Sequence, residues 1–243
     1  MIMSNSKVLH KVDYDLDIDY GKLMEEDWAS VLKEDLLDTL YMENLMLYLH
    51  ERYKTSGIFP KKDCLFKPFN KLPFKDIRVV VLGREPFADG QATGIPLGNE
   101  DNFGTTFSPE LITWNKGIEL SAHCGFNMYS DPTLQDIISQ GVFLMDTALT
   151  SELGKSMAHK TIWKNFTREV IKTICDWHPE AIFVLLGKEA KKFAQYIPED
   201  NYTFYSNHPY EAIKENKKFD ASFTEKVNAV LKVRNGRAAE IIW

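Results

Sequence analysis

The sequence predicts a single α/β domain built on a short central parallel β-sheet flanked by helices. Three observations point to it. Short apolar, β-branched runs recur along the chain and each ends in a loop. Stretches with apolar residues at helical spacing separate them. The 243 residues, 44% hydrophobic, can bury a substantial core, and no Pro/Gly/Ser-rich linker divides them.

Taken in order, Val31 to Tyr53 places Leu36, Leu37, Leu40, Leu45, Leu47 and Leu49 at helical spacing, so a helix is expected there. A polar, Pro-containing stretch leads to Arg78-Val-Val-Val-Leu82, a buried strand that opens into a loop at Gly83. Leu134 to Ser139 reads as helix and Val142 to Met145 as the second strand. Thr161 to Cys175 is helical and precedes a third strand, Ala181 to Leu186. Glu189 to Tyr196 is helical, Tyr202 to Ser206 is a weaker fourth strand, and Ser222 to Arg234 is a closing helix. Strands alternating with helices imply a parallel sheet covered on both faces, and such sheets bind ligands beyond their carboxyl ends. The loops to inspect follow Leu82, Met145, Leu186 and Ser206. The expected extent is one domain over residues 1–243, with 1–25 as an N-terminal extension.

Net charge is -6, which argues against nonspecific coating of nucleic acid but leaves room for a locally basic face. Lys188, Lys191 and Lys192 cluster, as do Lys214, Lys217 and Lys218; most such clusters are solvated surface. Cys64, Cys124 and Cys175 follow no ligand spacing, so neither a zinc site nor an iron–sulfur cluster is expected, and the sparse count fits a reducing compartment. The polar start does not read as a signal peptide, and no apolar run approaches membrane-spanning length. The expectation is a cytoplasmic, soluble monomer without metal, cofactor or membrane partner.

The first loop reads Gly83-Arg-Glu-Pro-Phe-Ala-Asp-Gly-Gln-Ala-Thr-Gly94. Neither a P-loop nor a dinucleotide fingerprint is present. Glu85 follows the first strand, Asp146 the second and His208 the fourth, so two carboxylates and an imidazole meet at one sheet edge. Singly, Asp146 reads as a helix cap and His208 as a turn residue; together they read as a site. His178-Pro179-Glu180 matches the H-x-E of zinc deaminases, but the P-C-x-x-C those enzymes need is absent.

On these residues the chain resembles the uracil-DNA glycosylase family. Gly83-Arg-Glu-Pro-Phe-Ala, with Gly90-Gln-Ala-Thr-Gly94, is similar to the family's G-Q-D-P-Y-H loop and its G-Q-A-x-G continuation. Phe107-Ser-Pro-Glu-Leu111 resembles its Pro-Pro-Ser phosphate loop, and Phe143-Leu-Met-Asp-Thr-Ala-Leu-Thr150 its base-reading strand. Gly187-Lys188 resembles its Gly-Ser backbone clamp, and His208-Pro-Tyr-Glu-Ala212 its H-P-S-P-L wedge loop. The likeness covers roughly residues 25 to 235.

The resemblance implies a uracil-DNA glycosylase-like fold and a monofunctional DNA N-glycosylase that flips a base out of the helix and hydrolyses its glycosidic bond. Glu85 and His208 would be catalytic, the first beneath the cationic sugar and the second on the base O2. Asp146, Phe87, Leu97 and Arg84 would face the base. Ser108, Pro109, Gly187, Lys188, Pro209, Ala212 and Ile213 would contact DNA.

Departures from the family pattern carry information. Glu85 replaces an aspartate. Asp146 replaces an asparagine whose amide reads uracil, and a carboxyl there suits the reversed donor and acceptor pattern of cytosine. Phe87 replaces the tyrosine that guards C5 and, almost as bulky, keeps some of that screening; Leu97 replaces the stacking phenylalanine and Ala88 a histidine in a loop one residue shorter, changes that widen the space toward C5. Ala212, with Ile213 beside it, replaces the intercalating leucine, and Glu110 intrudes an anion on the phosphate loop. The implied target is a cytosine-type or 5-modified cytosine base, as in the modified DNA of some viruses, with antiviral defence as the setting. The alternatives are ordinary uracil excision in base-excision repair and an inactive fold kept as a DNA- or protein-binding module.

Overall fold

Four short apolar runs form the sheet the sequence predicts, and its register decides where the functional loops meet. The computed structural model describes residues 19–99, 107–122 and 131–243; Cys124 and most of the expected N-terminal extension lie outside them. The elements are α1 (Glu26–Leu32), α2 (Leu40–Thr55), β1 (Ile58–Phe59), α3 (Lys67–Lys71), β2 (Val79–Leu82), α4 (Pro109–Ala122), α5 (Gln135–Ile138), β3 (Val142–Met145) and β4 (Ser151–Glu152), then α6 (Lys160–Trp177), β5 (Ile182–Leu186), α7 (Gly187–Lys191), β6 (Thr203–Ser206), α8 (Pro209–Lys214) and α9 (Phe223–Asn235).

The sheet order is β3-β2-β5-β6, with every pair parallel. Each residue of β2, β3 and β5 is buried, as expected of strands covered on both faces. β6 lies at the edge and keeps Tyr205 half exposed, which explains its weaker apolar pattern. Leu82 pairs with both Met145 and Leu185, and Leu186 with Ser206, so the four strands end level. Their following loops therefore share one edge. β1 and β4 form a separate antiparallel pair that ties residues 57–59 to the loop after β3.

Aromatic packing seats the helices. Trp28 on α1 is fully buried, its ring centroid 4.7–4.8 Å from those of Phe69, Phe74 and Phe143, and its indole N–H donates to the Leu72 carbonyl at 2.8 Å. One face of α6 buries Trp163, Phe166, Val170, Ile171 and Ile174.

Three expectations change, the first being the helix expected from Glu189 to Tyr196, which is instead the five-residue α7 followed by a separate 3-10 turn at Ala194–Tyr196. The helix expected from Val31 to Tyr53 is interrupted: a π-helical turn over Lys33–Leu37 buries Leu36 and Leu37, and the chain restarts at Leu40 with Thr39 as N-cap, its hydroxyl accepting from Met42 N–H. The segment after Ser108, read as a phosphate loop, is the start of a 14-residue helix. Ser108 Oγ accepts from Leu111 N–H at 3.1 Å with Pro109 in the first turn, an N-terminal signature that the loop reading passed over. No described helix is long and apolar enough to cross a membrane.

Candidate active site

Glu85 leaves β2 three residues past the strand end and turns toward the loop after β4. Its Oε2 accepts from Met157 N–H at 2.6 Å and its Oε1 from the Ser156 hydroxyl at 3.1 Å, with the Arg84 guanidinium 3.3 Å away. Burial pushes this carboxyl above its usual range, although Met157, Arg84 and Ser156 all pull the other way. Met157 holds positive φ, an uncommon backbone state for a non-glycine residue, and this aims its N–H at Glu85. The loop is fixed from behind by a buried chain in which Trp163 Nε1 donates to Thr150 Oγ1 at 2.7 Å and Thr150 Oγ1 meets His159 Nδ1 at 2.8 Å.

Asp146 follows β3 directly and is buried. Its carboxyl packs on Gly83, where a Cβ would lie 2.4 Å from Oδ1, so only glycine fits at 83. Burial pushes Asp146 up to about 8, and the Glu85 charge adds to the shift; a hydrogen bond from the Arg84 backbone N–H and the Arg84 charge oppose it. Burial thus favours the neutral carboxyl, which carries one O–H donor and one carbonyl acceptor.

His208 caps α8 and is also buried. Nδ1 accepts from Tyr210 N–H at 3.1 Å. Burial, with a smaller contribution from the Arg84 charge, holds the imidazole down at about 3. A neutral ring that accepts at Nδ1 carries its hydrogen on Nε2, which makes Nε2 a donor. The sequence reading of His208 as a turn residue and its reading as a site residue therefore describe the same side chain.

Arg84 connects these groups. Its guanidinium bonds Ser156, stands beside Glu85 and lies over the Tyr210 ring, 4.4 Å from the centroid. Its carbonyl accepts from Thr147 Oγ1 at 2.6 Å and from Ala148 N–H at 3.2 Å. The structure thus brings Glu85, Asp146 and His208 to one edge of the sheet, with Arg84 among them. Ser156, Met157 and Tyr210 complete the cluster and were missed by sequence reasoning; the first two lie more than 70 residues from Glu85, with no motif to mark them.

The remaining residues fall into two groups. Phe87 is half buried, and its carbonyl accepts from Ser151 Oγ at 3.3 Å. Leu97 is buried in the core with φ 63°. Ser108 is buried and its hydroxyl is engaged inside the fold, donating to Asn99 Oδ1 at 3.1 Å while capping α4. Pro109 is exposed, Pro209 is buried in the first turn of α8, and Glu110 stands partly buried in the first turn of α4. Ala212 is 1% exposed and packs in the core, whereas Ile213 is 43% exposed, so of the two wedge candidates only Ile213 reaches solvent. Gly187 has φ 78°, and a Cβ there would lie 2.8 Å from His208 Cβ. Lys188 N–H donates to Glu211 Oε1 at 3.1 Å.

The two lysine clusters are partly neutralised from within: Lys188 and Lys217 pair with Glu215, and Lys192 with Glu189. His178 and Glu180 line a cavity of about 610 Å³ with Arg78 and Ala181, at the opposite end of the sheet from Glu85. Among the described residues, no group of three or more His, Cys, Asp or Glu is placed to hold a metal.

A family model described as the uracil DNA glycosylase superfamily matches residues 69–232. A relative from Borreliella burgdorferi (strain ZS7), named uracil-DNA glycosylase, is 35% identical over 191 residues, 76% of this chain and 83% of the relative. One of the same name from Clostridioides difficile (strain 630) is 31% identical over 209 residues, 85% and 91% of the two chains. In fold, the chain is similar to the crystal structure of mimivirus uracil-DNA glycosylase. The TM-score is 0.79 at 24% identity, over 90% of this chain and 87% of that one.

Proposed function

The chain belongs to the uracil-DNA glycosylase superfamily and is a DNA glycosylase, and we propose that it excises a cytosine-type base, plain or modified at C5, rather than uracil. The observation that carries this is the carboxyl of Asp146 at the base-reading strand end. Cytosine offers an amino donor at C4 and a lone pair at N3. A neutral carboxyl accepts from the first and donates to the second. A neutral carboxyl can present its donor and acceptor in either order, so it admits the cytosine pattern that the replaced amide was set against.

In this reading Glu85 stabilises the cationic sugar and orients water toward C1′, while His208 Nε2–H donates to O2 of the departing base. The glycosidic bonding pair leaves with the base, the water oxygen bonds to C1′, and the proton released by water neutralises the base. Phe87 and Leu97 line the C5 side, and Gly187, Lys188 and Ile213 grip the strand. A setting in defence against viruses with modified DNA follows if large 5-substituents are accepted.

Plain uracil is the second reading. It is favoured by the neutrality of Asp146, because a protonated carboxyl matches an amide in carrying one donor and one acceptor, and by the names of the relatives. The experiment is incubation with oligonucleotides carrying uracil, cytosine, 5-hydroxymethylcytosine or its glucosylated form, scored by alkali-labile abasic sites. Cleavage at a cytosine form in preference to uracil is expected. Preference for uracil, unchanged in Asp146→Asn, returns the chain to ordinary uracil excision.

A further inference from the structure

The groups around Glu85 leave a neighbouring feature without a role. A cavity of about 290 Å³ opens beside Thr147, and Lys160 and Lys164 from the start of α6, Lys192 after α7, and the rings of Phe193 and Tyr196 line it. Glu189 also borders it and pairs with Lys192 at 2.7 Å. Lys160 and Lys164 make no ion pair with any described residue, in contrast to Lys54, Lys155 and Lys172, each bound to a glutamate on its own segment.

The placement of these two lysines is unfavourable for folding alone. The first turn of α6 holds no acidic residue and begins with Lys160, so cations stand at the helix end where the backbone dipole is already positive. In a chain of net charge -6 this concentrates a positive field at one point of the active-site side. Among the other lining residues, Phe193, largely buried, and the more open Tyr196 stand 6.0 Å apart at 56°, so the aromatic side of the cavity is offered mainly by Tyr196. Ammonium groups facing aromatic rings are the two halves of a nucleotide site: one takes a phosphate, the other a base face.

The cavity is coupled to the reacting groups by position. Thr147 is next to Asp146, and its hydroxyl holds the Arg84 carbonyl at 2.6 Å. Glu189, on the cavity wall, is close enough to Glu85 to act on its charge.

We propose that this cavity is a second nucleotide subsite, which takes a nucleotide of the substrate strand adjacent to the flipped one. Its phosphate lies against Lys160 and Lys164 and its base against Phe193 and Tyr196. The proposal rests on DNA being the substrate and is independent of which base Asp146 reads.

The test compares Lys160→Ala/Lys164→Ala with Lys172→Ala/Lys232→Ala. The second pair removes the same charge; Lys172 is further along α6, about 18 Å from Lys160 and about 12 Å from Lys164, and Lys232 is in the last turn of α9. Binding of a labelled single-stranded oligonucleotide with a central abasic analogue is followed by fluorescence anisotropy from 50 to 200 mM salt, conditions chosen for the assay. The first pair should weaken binding about 10-fold at the low-salt end and flatten the slope of log Kd against log salt by about 1–2. The second pair should leave the slope unchanged. Tyr196→Ala should weaken binding about 5- to 100-fold with the slope retained, as loss of a stacking face predicts. On an excised base, KM should rise in the first pair while kcat at saturating DNA stays at the wild-type value.

A slope unmoved by Lys160→Ala/Lys164→Ala, or moved equally by the control pair, overturns the subsite. So does an equal loss on an abasic-analogue mononucleotide, which has no adjacent nucleotide to place in the cavity. Because binding to the abasic oligonucleotide needs no excision, an error in the assigned base leaves this readout intact.

Discussion

The two halves of the sheet's carboxyl edge are built by opposite means. After β2 and β3, Glu85 and Asp146 sit out of water, and groups that cannot easily move hold them: a Met157 N–H, the Arg84 N–H and the wall at Gly83. After β5 and β6, Lys188 bonds through its backbone to Glu211 and through its side chain to Glu215, in pairs open to solvent. The first arrangement shifts proton affinities by burial and fixes geometry. The second holds charged groups that can exchange partners at little cost. Bond-breaking benefits from preorganised groups in a dry site, whereas grip on a polyanion benefits from groups that can change partner when it arrives. His208 belongs chemically to the first half although it follows β6, since it too is buried and held neutral.

The largest expected effect breaks the first half. Glu85→Gln keeps the size and the hydrogen-bond acceptor but removes the charge that faces the sugar cation. Turnover should fall by about 100-fold or more, with binding of an abasic oligonucleotide within a few-fold of wild type. Single-turnover kinetics on a confirmed substrate measures it. A wild-type rate would show that burial at this position serves packing alone.

The next effect reads the burial of Asp146 through pH. Its folded-state pKa is raised to about 8 from 3.8, so the folded chain holds a proton that the unfolded chain releases. Stability from this group is therefore fully present below about pH 4 and is lost as pH rises toward 8. Asp146→Asn has no such proton. The gap in melting temperature, variant minus wild type, should widen between pH 6 and pH 9, each kcal/mol amounting to about 2–4 °C in a chain of this size. His208 acts with the opposite sign: its pKa is lowered from 6.5 to about 3, so its share is fully present above 6.5 and is lost as pH falls from there toward 3. On a cytosine-type base, wild-type activity should decline above about pH 8, and Asp146→Asn should lack that limb. A gap in stability that stays constant with pH would mean Asp146 is ionised in the folded state.

The same contrast explains what could be read in the sequence. β2, β3 and β5 were legible because a strand buried on both faces is an uninterrupted apolar run, β6 only from a weaker, half-exposed pattern, and their level ends brought Glu85, Asp146 and His208 together. The break at Thr39 was not, because Leu36 and Leu40 keep helical spacing across it while a π-helical turn changes which side chains are buried. The supports of Glu85 were illegible for another reason. Ser156 and Met157 act through a loop hydroxyl and a backbone N–H, neither of which has a sequence pattern. In the other half, the exposed Lys188 and Lys217 could be named as a basic surface, but their neutralising partner Glu215 depends on how α8 packs.

The smallest effect sharpens the second half. Glu211 Oε1 accepts from Lys188 N–H, and Gly187 leaves just enough room for that carboxylate, since a Cβ there would lie 3.0 Å from it. On the reading that Gly187 and Lys188 clamp a DNA phosphate, the chain's own carboxylate occupies the donor the phosphate needs. Binding then requires Glu211 to withdraw, giving up a hydrogen bond whose net value is about 1 kcal/mol, and leaves two anions close together. Glu211→Gln retains the side-chain length and a carbonyl oxygen for Lys188 N–H, so the turn at Gly187 should keep its shape and the melting temperature should stay within about 2 °C. What disappears is the negative charge. Affinity for an abasic oligonucleotide should improve about 3- to 10-fold near 50 mM salt. The gain should shrink as salt rises, because screening weakens the repulsion that the substitution relieves. A loss of affinity together with a lower melting temperature would give Glu211 the contrary role, a brace for the clamp that the phosphate approaches without displacing it, and the two halves of the edge would then both be preorganised.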